Sequence, residues 1–101
     1  MGSVVVVQYT TKAEHADENE RLVREVFAEL GDTDPGALHY CTVRLADGVS
    51  FVHFAVLDGE ENPLSSSPAF ARFQSGIAER CSAGPTVSAA ALVGSYAMLP
   101  A

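Results

Sequence analysis

The spacing of apolar positions changes period several times along this chain, and each change marks an element. Residues 3 to 10, SVVVVQYT, form a β-branched run of strand length, which predicts a strand. In TKAEHADENERLVREVFAELG, Asn19, Leu22, Val23, Val26, Phe27 and Leu30 recur three and four apart, with Glu and Arg between them. That is the stripe of an amphipathic helix. Thr11 followed by Glu14 has the spacing of a capping box, the early acids suit the helix dipole, and Gly31 stands where a helix ends.

DTDPGA is turn chemistry, and YCTVRLADGVSFVHFAV, residues 40 to 56, reads as two strands around Asp47-Gly48. A two-residue turn of type I′ there pairs Arg44 with Phe51, Thr42 with His53 and Tyr40 with Ala55 on one face. The other face receives Val43 with Val52, Cys41 with Phe54 and His39 with Val56. One side of the hairpin is therefore mostly apolar, while the other collects Tyr40, Thr42, Arg44 and His53. The polar side has two places to go, toward the helices or into the seam of a dimer.

After the loop DGEENPLSSSP, Ser67 is a good cap and Pro68 a good first residue for a second helix. Phe70, Phe73, Ile77 and Cys81 give that helix its apolar stripe, and Gly84-Pro85 is placed to stop it. Residues 86 to 96, TVSAAALVGSY, are expected to form the last strand, although their three alanines suit a helix equally well. The order βαββαβ predicts a single ferredoxin-like α+β domain over residues 1 to 101, with two helices on one face of a four-stranded antiparallel sheet. The second face, holding Val4 or Val5, Phe51 and part of the Ala-rich strand, then exposes an apolar patch. A homodimer formed by pairing two such faces covers it.

Composition narrows the function classes. With 48% hydrophobic and 19% charged residues over 101 positions the chain has the makeup of one folded domain. A net charge of −7 repels phosphate backbones and anionic membranes, so neither nucleic acid nor a membrane surface is expected as a partner. The run Val4 to Val7 is far short of the ~20 residues of a membrane span, and no basic segment precedes it as in a signal peptide. Cys41 and Cys81 lack metal-site spacing, which predicts reduced core thiols, a cytoplasmic location and no metal.

TKAEHADENERLVREVFAELG, LADGVSFVHFAV, NPLSSSPAFARFQSGIAERC and the ends VVVVQY and VGSY together resemble small proteins of the dimeric α+β barrel superfamily, which includes the antibiotic biosynthesis monooxygenases. The resemblance covers nearly the whole chain and implies the fold and a dimer. Haem-degrading members rely on a histidine of the second helix and a nearby tryptophan; this chain has no tryptophan, and residues 68 to 82 hold no histidine, so no haem or other cofactor is expected. Cofactor-free monooxygenases of polyketide aromatics use Asn, Trp, Tyr and Arg around a cavity, and Asn19, Tyr40 and Arg44 supply three of these types.

The candidate chemistry follows. His53 has the makings of a general base, Arg44 of a group that steadies an enolate or phenolate, and Tyr40 of a third polar contact for an aromatic or acidic small molecule. Thr42 lies opposite His53, and His15 and Asn19, four apart on the first helix, are placed to line a pocket mouth. The plainer reading has His53 bonded to Thr42 and Arg44 paired with an acid. His39 is expected to be a satisfied structural histidine, Tyr9 and Tyr96 packing aromatics near the dimer seam. The expected function is a dimeric small-molecule-binding or accessory module, with a cofactor-free monooxygenase as the alternative.

Overall fold

The computed structural model describes residues 3–97. Strand β1 (Ser3–Thr11) leads through a 3-10 turn at Ala13–His15 into helix α1 (Ala16–Thr33). Strands β2 (Leu38–Arg44) and β3 (Ser50–Leu57) form the hairpin. A 3-10 turn at Pro63–Ser66, helices α2 (Pro68–Gln74) and α3 (Ile77–Arg80), and strand β4 (Cys81–Ala90) complete the chain. The four strands lie in the order β2-β3-β1-β4, every pair antiparallel. This is the α+β, ferredoxin-like arrangement that the element order predicts.

The hairpin register is the expected one, Arg44 with Phe51, Thr42 with His53 and Cys41 with Phe54. Its turn is not. Gly48 N–H donates to the Leu45 carbonyl and Leu45 N–H to Ser50, and of the central pair only Gly48 has a positive φ, +80°. A type I′ turn needs positive φ at both. The loop is instead longer and is tied by the Asp47 carboxylate, which accepts from the backbone N–H of Val49 and Ser50 and from the Ser50 hydroxyl. These donors hold the Asp47 carboxyl below its usual pKa.

Three helix boundaries move from their expected places, each because a backbone or side-chain group is used elsewhere. Thr11 makes no capping box. It is the buried last residue of β1, and both its N–H and its hydroxyl donate to the Val49 carbonyl. Helix α1 passes through Gly31 and stops at Asp34, whose left-handed backbone (φ 43°) donates to Leu30, with Pro35 behind it. Ser67 does cap α2, accepting from Phe70 N–H, but that helix breaks at Ser75-Gly76. Cys81 is consequently not on a helix; it opens β4 and sits in the core.

Gly84-Pro85 lies inside β4, not at a helix end, and β4 finishes at Ala90, leaving residues 91–97 irregular and exposed. The pairing with β1 slips beside Gly84, from Gln8 with Thr86 to Thr10 with Ala83. Gly84 has φ +82°, and a Cβ there would stand 2.9 Å from the Gln8 carbonyl oxygen. Only glycine fits this bulge without displacing β1.

The hairpin's polar face turns to the helices. Phe51, placed by the sequence reading on the outer surface, is 2% exposed and packs with Tyr9, Leu22, Val23, Val26, Leu64 and Phe73. Tyr9 belongs to this core as well and not to an outer seam, while Tyr96 is exposed. The opposite sheet face carries Val4, Val6, Val43, Val52, Phe54 and Val56, of which Val43 and Phe54 are exposed. Cys41 lies on that face, half-buried rather than in the core.

Candidate functional site

Alternation along three strands brings one residue set to the same place under the helices. β1 offers Tyr9, β3 offers His53, and β2 offers Tyr40 and Thr42, while α1 and α3 lower Asn19 and Arg80 onto them. Asn19 is fully buried; Tyr9, His53 and Arg80 are each no more than 5% exposed. Buried polar groups of this kind must find partners, because each orphan costs roughly 1–3 kcal/mol.

They find one another in a continuous chain. Arg80 Nε donates to Asn19 Oδ1 at 3.0 Å, and Asn19 Nδ2 donates to Tyr9 Oη at 2.8 Å. Tyr9 Oη lies 2.8 Å from His53 Nε2, and His53 Nδ1 lies 2.7 Å from Tyr40 Oη and 3.0 Å from Thr42 Oγ1. Arg80 Nη2 also donates to the Phe73 carbonyl at 2.6 Å, and its guanidinium stacks 5.5 Å from the Phe73 ring. Gly76 leaves the space this needs, since a Cβ there would reach within 3.2 Å of Arg80 Nη1. Among the described residues no carboxylate pairs with Arg80; neutral acceptors and a π face hold it.

Burial sets the protonation states. It pushes the His53 imidazole down from 6.5 to about 4, so the ring is neutral at physiological pH. Burial also raises Tyr40, to about 12, against the smaller opposing effect of the Thr42 hydroxyl, and raises Tyr9 further, against the Asn19 hydrogen bond. Both phenols are protonated. The chain is neutral from Asn19 to Tyr40 and charged only at Arg80.

One end of this chain is open. A cavity of about 360 Å³ lies between the sheet and the segment from Asn62 to Ile77, with His53 and Tyr40 in its wall among Val5, Val7, Leu64 and Phe73. It exists because α2 has seven residues, about 10 Å of helix. That is too short to roof β4, where Val87 is left 68% exposed at the cavity's edge. The size and the mostly apolar lining with a small polar patch are those of a small-molecule site.

Of the sequence candidates, Tyr40, Thr42, Asn19 and His53 meet here. Arg44 shares their sheet face, but its guanidinium turns to α1, pairing with Glu20 at 2.8 Å and Asp17 at 3.1 Å over the Phe51 ring. Those two hydrogen-bonded acids raise its pKa, and Arg44 in turn lowers that of Glu20. His15 stands at the N-terminal end of α1 without a side-chain cap and contacts Glu18 at 3.1 Å, away from buried Asn19. His39 is satisfied by Asp58 at 2.8 Å. The sequence reading misses Tyr9 and Arg80 as site residues: it expects Tyr9 only to pack near a dimer seam and does not single out Arg80. Tyr9 alternates with Val5 and Val7, and Arg80 falls three after Ile77 and seven after Phe73, on the apolar stripe; both spacings are visible in the sequence.

Comparison with solved structures places this architecture. Rv0793 from Mycobacterium tuberculosis superposes with a TM-score of 0.69 at 16% identity, over 94% of this chain and 98% of that one. A crystal structure of an antibiotic biosynthesis monooxygenase superposes with a TM-score of 0.64 at 20% identity, over 91% and 99%. The chain has their fold. At such identities the likeness extends to architecture alone. No family model matches the chain, and no curated protein does. Among the described residues no helix is long and apolar enough to cross a membrane, and no three His, Cys, Asp or Glu side chains group to hold a metal ion.

The buried imidazole links stability to pH. The folded protein keeps His53 neutral down to about 4, whereas the unfolded chain takes up its proton below 6.5. The contribution of His53 to stability is therefore full above pH 6.5 and falls as pH drops from 6.5 toward 4, by about 3 kcal/mol. Urea titrations between pH 8 and 4 are expected to show this loss, and His53→Gln to flatten it over that window.

Proposed function

We propose that the protein is a dimeric binding or accessory module that holds an apolar, ring-bearing small molecule in the cavity beside His53 and Tyr40. The observation that carries this reading is the cavity itself: about 360 Å³, apolar, with the end of a buried hydrogen-bonded chain at its wall. Apolar walls supply affinity by excluding water, and the polar patch fixes orientation. Bicyclic probes of matched size, indene, indole and 1-indanone, are expected to bind with Kd of about 1 mM or tighter by ligand-observed NMR. Val87→Trp, at the cavity's exposed edge, is expected to weaken them all. Failure of every probe to bind would end this reading.

The dimer belongs to the same proposal. Val43 and Phe54 on the outer face of the sheet, with Val4, Val6, Val52 and Val56 around them, make an apolar surface that a second copy covers by face-to-face packing. Native mass spectrometry is expected to find a dimer. Phe54→Glu, which places a charge in the middle of that face, is expected to give a folded monomer with unchanged circular dichroism.

The chain of neutral donors and acceptors favours a second reading, a cofactor-free monooxygenase. There Tyr40 and His53 move a proton from an enolisable aromatic ligand, and Arg44 serves only after leaving its acids. Anthrone is the probe: with dioxygen it gives anthraquinone and water. Oxygen uptake that His53→Gln abolishes supports turnover, and uptake no faster than in buffer removes it.

A further inference from the structure

We infer that Tyr40 presents its hydroxyl hydrogen to the cavity, so the site selects ligands with a hydrogen-bond acceptor, such as a ketone or quinone oxygen, over ligands that only donate. The inference deepens the binding reading and rests on the cavity being the ligand site.

The direction of every hydrogen bond in the buried chain follows from its one group that cannot accept. A guanidinium only donates, so Arg80 fixes Asn19 Oδ1 as the acceptor and thereby turns the Asn19 amide hydrogens toward Tyr9. Tyr9 Oη accepts from Asn19, and its own hydrogen has one remaining side-chain partner, His53 Nε2. The reverse arrangement, in which Nε2 carries the ring hydrogen, leaves the Tyr9 hydroxyl hydrogen orphaned at a site 4% exposed. His53 is neutral, so an accepting Nε2 requires the hydrogen on Nδ1, which donates to Tyr40 Oη at 2.7 Å and faces Thr42 Oγ1 at 3.0 Å. Tyr40 Oη then accepts from Nδ1–H and from the Thr42 hydroxyl, whose hydrogen bond opposes the rise in the Tyr40 pKa, so the Tyr40 hydrogen is left to point away from both. Tyr40 lines the cavity together with His53, and no other member of the chain does.

Arg80, Asn19 and Tyr9 are thus positioning residues: none lines the cavity, yet together they set the polarity of the group that does. The arrangement makes a reversal possible with one isosteric change. In Asn19→Asp the carboxylate accepts from both Arg80 and Tyr9. Tyr9 Oη is then free to accept from His53 Nε2–H, Nδ1 accepts from Tyr40, and the cavity meets only the lone pairs of Tyr40. Arg80 supplies the new carboxylate with its counter-charge, so the variant is expected to fold.

The test has a ligand-free and a ligand-bound part, both at pH 8. Nitrogen-15 NMR of the His53 ring is expected to show Nδ1 protonated in the native protein and Nε2 protonated in Asn19→Asp. Native protein is expected to bind 1-indanone about tenfold tighter than indole. Asn19→Asp is expected to reverse that order, and Tyr40→Phe to bind 1-indanone no better than indene. A native ring protonated on Nε2 overturns the inference and leaves the cavity reading intact. Equal binding of 1-indanone and indole does the same. Binding of none of the three by native protein overturns the cavity reading, and the selectivity falls with it.

Discussion

A guanidinium with no carboxylate beside it among the described residues organises the interior of this protein. Arg80 cannot accept a hydrogen bond and is costly to bury unless every direction around it is filled. The Phe73 carbonyl and ring, the Asn19 amide oxygen and the bare backbone at Gly76 fill them. Because Asn19 is thereby oriented, Tyr9 and then His53 are oriented too, and helix α1, helix α3 and strands β1, β3 and β2 are joined in one polar run. Apolar packing of Val26, Phe51 and Phe73 excludes water from that run, and exclusion of water is what makes its geometry strict.

The short second helix is the complementary constraint. A break at Ser75-Gly76 lets α3 turn Arg80 inward, and the same brevity leaves the β4 side of the sheet unroofed. The cavity and the buried cation are consequences of one interruption in the chain. The bulge at Gly84 then keeps β4 against β1 where the register slips beside Tyr9, at the root of the polar run.

The two faces of the sheet divide the chemistry. The inner face holds the imidazole, two phenols and the cavity; the outer face carries valines and Phe54, with side-chain hydrogen bonds at its margins, Thr10 with Ser50 and Ser50 with Asp47 at one end and His39 with Asp58 at the other. Arg44 marks the edge of this division: it stands on the inner face, yet Asp17 and Glu20 draw its charge to the surface of α1. A cation close to a carboxylate gives up that pairing only for a stronger one, which separates Arg44 from the neutral site two residues away.

The order of the elements, the first three strands and the first helix, the hairpin register and the meeting of Tyr40, Thr42 and His53 were determined by the sequence, because periods of two and of 3.6 put side chains on faces whatever surrounds them. The stripe that includes Asn19 was legible for the same reason. Local signals with two uses were decided by the tertiary structure. Thr11 could cap a helix or end a strand, Gly84-Pro85 could stop a helix or bulge a strand, and Asp47-Gly48 could make a tight or a wider turn. Neighbours distant in sequence, Val49 for Thr11 and Gln8 for Gly84, made the choice. Which sheet face turned inward, and with it the roles of Phe51, Tyr9 and Arg80, depended on helices packing from 10 to 60 residues away. A polar residue on an apolar stripe declares its partner only when the chain has folded around it.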